Sequence, residues 1–180
     1  MNILIIKLGA MGDVVRSTSI LPGLQKKYPK GAFYWVTKKE SKDLMLGNPY
    51  LKEVLFIEDG IGGKLKGMPF GLVVNLDEDE ESLKLASEVH CDNVFGGYLD
   101  NGNPAYRKDS SRWLDMGLIS KFGKTKADEL KKENEETYQN ILCSMLEIEK
   151  SKPVLMLSED EVEFGAAFFS EKGVSEDAFV

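Results

Sequence analysis

Apolar positions along the chain fall into two rhythms. Short continuous runs rich in β-branched and aromatic residues recur at Asn2–Lys7, Phe33–Thr37, Glu53–Glu58, Phe70–Leu76 and Asp92–Gly97. Such runs predict strands buried on both faces. Between them, apolar residues return every three or four positions, the spacing of amphipathic helices. From Asp13 onward Val14, Val15, Ile20, Leu21 and Leu24 follow it, with Pro22 placed to kink the helix. A short helix is predicted over residues 40–46, stopped by Gly47-Asn48-Pro49, and the glycine-rich 60–67 reads as a loop. A helix opens at Asp77 with the acids Asp77–Glu81 in its first turn, residues 110–122 and 126–148 read as helical, and residues 152–158 read as a last strand. Ser158 and Glu161 have the spacing of a capping box opening one more helix. Ser175–Val180 reads as the start of a further strand.

Strands alternating with helices predict an α/β domain spanning residues 1–180. Its Rossmann-like parallel sheet would carry helices on both faces. In such sheets ligands bind beyond the carboxyl ends of the strands, which places the turn after the first strand, LGAMGD, at the site.

Composition narrows the function classes. The net charge of −7 argues against nucleic acid as a partner. The charge is uneven: residues 1–60 hold nine Lys or Arg against six acids, while the remainder carries −10. That asymmetry points to an anionic partner near the N-terminus or to an ordinary lysine-rich face. Lys26, Lys27, Lys30, Lys38, Lys39 and Lys42 are candidates for contact with an anionic membrane leaflet. No apolar run approaches the ~18 residues of a membrane span, and the N-terminus lacks the basic segment of a secretory signal. Cys91 and Cys143 lie far apart with no CxxC, consistent with reduced cysteines and a cytoplasmic chain. The lone His90 beside Cys91 makes no metal site, and the acid run Asp77–Glu81 lacks calcium-loop spacing. His90 therefore reads as structural, and the acid run as a solvated first helical turn.

Three chemistries compete for LGAMGD. A dinucleotide fingerprint needs G-x-G-x-x-G, yet only Gly9 and Gly12 are present, and the second strand ends in Thr37-Lys38-Lys39 without the ribose-binding acid. A P-loop needs Gly-Lys-Ser/Thr, but Asp13 follows Gly12 and would repel an anion. The third reading makes Asp13 a general base that accepts a proton late, as a substrate hydroxyl acidifies during attack. Gly9 and Gly12 would then provide a tight turn and close substrate approach. Lys7 and Arg16 are candidates to meet substrate carboxylates or phosphates, Arg16 bidentately. Against this stands a structural role for Asp13 as a helix N-cap, which the residue type and spacing alone favour.

The segment ILIIKLGAMGDVVRSTSILPGLQKKYPKGAFYWVT, residues 3–37, resembles the opening of glycosyltransferase family nine, the ADP-heptose:lipopolysaccharide heptosyltransferases. NPYLKEVLFIE, FGLVVNLDEDEESLKLA, VFGGYLD and ENEETYQNIL resemble its later segments. The resemblance implies the N-terminal, acceptor-binding half of a two-domain GT-B enzyme. Its nucleotide-sugar domain would lie outside this chain. It also implies inversion at the sugar's anomeric carbon without a metal or cofactor, Asp13 as the base, ADP-heptose as donor, and a lipid-linked lipopolysaccharide core acceptor at the cytosolic membrane face. The turn departs from the Thr-Ser-Ser-Leu-Gly-Asp of many members, and Arg16 stands where His is common. The rival readings are a nucleotide-binding (NAD(P)) α/β domain and a non-catalytic glycan- or lipid-binding module.

Overall fold

A computed structural model of the chain describes residues 1–173. Six strands form one sheet: β1 (Asn2–Ile6), β2 (Ala32–Thr37), β3 (Leu51–Phe56), β4 (Leu72–Asn75), β5 (Val94–Asp100) and β6 (Asn103–Tyr106). Their order is β3-β2-β1-β4-β5-β6. The first five pair in parallel, with Ile5 of β1 between Trp35 of β2 and Val74 of β4.

The sheet is covered on both sides, as its uninterrupted apolar strands require. Ile3, Ile5, Phe33, Trp35 and Val74 pack with Val14 of α1 (Met11–Ser17), Leu21 and Leu24 of α2 (Leu21–Lys27), and Tyr138, Leu142 and Leu146 of α8 (Tyr138–Leu146). The alternate residues Leu4, Ile6, Tyr34, Val36 and Val73 pack on the other face. There they meet Leu65 of α4 (Gly62–Lys66) and Leu85 and Ala86 of α5 (Glu80–Glu88). The remaining helices are α3 (Lys42–Met45), α6 (Ser111–Leu114), α7 (Lys124–Glu133) and α9 (Glu159–Lys172).

Several local expectations are corrected. The first helix starts at Met11, with Ala10 at its N-cap position, so Asp13 lies in the first turn and caps nothing. The helical run after it divides at a 3-10 turn, Thr18–Ile20, and Pro22 opens α2, where its missing N–H is harmless. The third strand ends at Phe56, two residues early, in a 3-10 turn closed by left-handed Gly60. The glycine-rich 60–67 holds α4 because Ile61 and Leu65 bury against the core; packing overrides glycine's poor propensity. The predicted helix over 110–122 has only Ser111–Leu114 as α-helix, preceded by a 3-10 turn; beyond it the Glu78 carboxylate holds the backbone N–H of Ile119 at 3.0 Å. The predicted long helix over 126–148 breaks between α7 and α8. There Asn134 accepts from Glu136 N and Thr137 caps α8 through Asn140 N.

Residues 152–158 form no strand; Val154 N donates to Thr18 Oγ1 at 2.7 Å instead. The sheet is not wholly parallel: β6 runs antiparallel to β5, joined through Asn101-Gly102, both at positive φ. Edge strand β6 tolerates Pro104 because it has a free side. The Ser158–Glu161 capping box forms as predicted at the start of α9. The strand expected over 175–180 lies outside the described residues.

Candidate functional site

Strand β1 has β2 on one side and β4 on the other, so connections diverge there and a crevice opens beyond the carboxyl ends of β1 and β4. Two short segments wall it. Lys7, Leu8 and Gly9 follow β1, and Leu76 to Asp79 follow β4. A cavity of about 260 Å3 lies between them, lined also by Asp13, Arg16, Trp113 and Tyr138. It abuts a second cavity of about 460 Å3 that shares Arg16, Glu78, Trp113, Leu118 and Tyr138 and extends past Lys124 and Lys131 of α7.

Lys7, Gly9, Asp13 and Arg16 thus converge on one crevice. Gly12 does not line it. The Asp13 side chain is 41% exposed and stands between two cations. Arg16 Nε lies 3.1 Å from Asp13 Oδ1, one helical turn away, though this N–H makes no hydrogen bond. Lys7 Nζ lies 4.0 Å from Asp13 Oδ2. Neither Gly9 nor Gly12 has a positive φ, and a Cβ at either would meet nothing within 4 Å. The tight turn therefore does not require glycine; at Gly9, what the missing side chain leaves is open space beside the crevice.

Two residues complete the site from distant parts of the chain. Asp77 was expected on a solvated helical turn. Instead it is buried, because the helix begins only at Glu80, capped by Asp79. Its carboxylate accepts from Lys7 Nζ and from Leu8 N, stitching the end of β1 to the end of β4. Burial pushes this carboxyl above its ordinary value, while the Lys7 ammonium and the Lys7 and Leu8 hydrogen bonds pull it back. Asn75 sets the segment by accepting from Asp77 N and donating to Gly97 O.

Tyr138, at the start of α8, lies under Arg16, with the guanidinium carbon 4.1 Å from the ring centroid. Its hydroxyl is 3.2 Å from Ser17 Oγ, and Trp113 meets its ring edge-on at 4.7 Å. Burial raises the phenol far above its ordinary value, so Tyr138 stays neutral.

The crevice can present a carboxylate to a hydroxyl and cations to an anionic group. Its acids Asp13, Asp77, Glu78 and Asp79 line the crevice, and negative charge there disfavours an anionic dinucleotide. The six lysines proposed for a membrane surface are not gathered. Lys26, Lys27 and Lys30 precede β2, whereas Lys38, Lys39 and Lys42 follow it, roughly 20 Å of strand away. Lys26, Lys27 and Lys39 are also paired, with Glu149, Glu147 and Asp59. His90 is exposed, and its backbone carbonyl accepts from Phe70 N. Both cysteines are free thiols. Among the described residues no helix is long and apolar enough to cross a membrane.

No family model and no curated protein matches this sequence. Solved structures do. The chain is similar to the glycosyl transferase family 9 protein of Veillonella parvula DSM 2008, at 18% identity and a TM-score of 0.61, over 98% of this chain and 50% of that one. It is also similar to the ADP-heptose LPS heptosyltransferase II of E. coli, at 17% identity and a TM-score of 0.50, over 98% of this chain and 52% of that one. These likenesses establish a shared fold. The chain spans about half the length of the structures it matches.

Proposed function

We propose that this chain is the acceptor-binding half of an inverting glycosyltransferase that moves heptose from ADP-heptose to an inner-core lipopolysaccharide acceptor. The observation that carries the reading is Asp13: a part-exposed carboxylate facing the crevice at the sheet's switch point, flanked by Lys7 and Arg16. The fold likeness and the resemblance over residues 3–37 support the same family.

An acceptor hydroxyl would rest against Asp13, with Arg16 and Lys7 meeting the acceptor's anionic groups. As the hydroxyl oxygen attacks C1 of the heptose, its proton passes to Asp13. The bond from C1 to the phosphate oxygen breaks and ADP leaves with that electron pair. A single displacement inverts C1. The donor would be held by a second domain outside this chain. Incubating the full-length protein with ADP-heptose and a lipid-linked core acceptor should yield ADP and a singly heptosylated product by mass spectrometry. Absence of product from a folded enzyme, across heptose epimers and core acceptors, would contradict the proposal.

A further inference from the structure

The chemistry proposed for Asp13 faces an electrostatic obstacle. Two cations stand within 4.0 Å of its carboxylate oxygens and compete with the acceptor hydroxyl for them. The groups facing Asp13 are Arg16 from its own helix, Lys7 from the end of β1, Asp77, Glu78 and Asp79 from the segment after β4, and the neutral Tyr138 from α8.

Arg16 is the nearer cation but makes no hydrogen bond through Nε; Lys7 is the second, its ammonium reaching the crevice from a buried stem. Yet Lys7 hydrogen-bonds Asp77 and stays 4.0 Å from Asp13. Asp77 is itself fixed by Leu8 N and by its backbone bond to Asn75. Both partners of this pair are more than nine-tenths buried.

We propose that Asp77 is a positioning residue: it keeps the Lys7 ammonium off the Asp13 carboxylate and so leaves that carboxylate free to take the acceptor's proton. The inference rests on the general-base reading of Asp13. Without Asp77, the remaining counter-charge nearest Lys7 is Asp13. The ammonium then swings onto it and blocks the oxygen that should receive the proton.

The test uses three variants of the full-length enzyme: Asp77→Asn, Lys7→Met, and the two combined. Asparagine keeps an acceptor for Leu8 N while removing the charge. Asp77→Asn should lower plateau kcat about tenfold and move the acid limb of the kcat–pH profile down by about 1 pH unit. Lys7→Met should move that limb up. The double variant should return the limb to the wild-type position and recover turnover relative to Asp77→Asn. A purely structural role would give additive losses and no opposed movement. Limbs unmoved in both single variants would overturn the inference. If Asp77→Asn fails to fold, Lys7→Met decides alone: an upward limb supports the proposal, and an unmoved limb overturns it. Asp13→Asn separates the two claims, since near-normal turnover there defeats the general-base reading itself.

Discussion

Arg16 sits over the ring of Tyr138 at the crevice, the guanidinium carbon 4.1 Å from the ring centroid. One residue lies in the first helix and the other opens α8, so the contact ties this crevice cation to a distant part of the chain. With the Arg16 side chain 39% exposed, a cation–π contact of this kind contributes about 0.5–1 kcal/mol. Arg16→Ala should raise KM for the acceptor at least tenfold while leaving the donor's KM nearly unchanged. Tyr138→Leu should raise the acceptor's KM in the same direction. Tyr138→Phe keeps the ring and loses only the Ser17 contact, so KM should hold while stability falls by about 1 kcal/mol. A KM rise confined to the donor would contradict the placement.

Two glycines should respond in opposite ways. Gly96 has a φ of +94°, and a Cβ there would stand 1.8 Å from Asn75 O. Gly96→Ala should cost more than about 4 kcal/mol or prevent folding, because two neighbouring backbones would have to part. Gly12 has open space around it and sits in α1. Gly12→Ala should leave stability unchanged or raise it by up to about 1 kcal/mol. Denaturant unfolding of both variants checks the contrast.

Stability should carry a pH signature of Asp77. Its carboxyl is raised in the folded chain, chiefly by burial, so the folded state holds that proton more tightly than the unfolded state does. The resulting stabilisation is complete below the ordinary carboxylate value and is lost as pH rises through the raised one. The Tm of the wild type relative to Asp77→Asn should therefore fall as pH is raised from about 4 to 7. A difference that is flat, or that moves the other way, would contradict the assigned burial.

The sheet was legible because its first five strands are short apolar runs, a pattern that survives without tertiary information. The hairpin to β6 carries its own sequence signal in Asn101-Gly102, a favoured two-residue turn. The break between α7 and α8 was hard to read: Tyr138 returns in helical phase with Ala127, so the pattern runs on through the all-polar Lys131–Thr137, where local side-chain bonds stop the helix. Lys7, Asp13 and Arg16 could be singled out because they share one sequence motif. Asp77 and Tyr138 could not, because Asp77 belongs to an acid run that reads as a solvated helical turn and nothing in the sequence marks Tyr138 out within its helix. Only the β1–β4 adjacency turns Asp77 inward, and only the packing of α8 on α1 puts Tyr138 under Arg16.

The central claim is that Asp13 accepts the acceptor's proton, and kcat of Asp13→Asn in the full-length enzyme tests it most directly. Asp13 caps no helix, and replacing its charge in the first turn costs only about 0.3–1 kcal/mol, so the variant should fold. With Tm close to wild type, kcat should drop by about 10²–10⁴ while substrate KM values change little. Turnover within a few-fold of wild type, from a variant of unchanged Tm, would contradict the assignment.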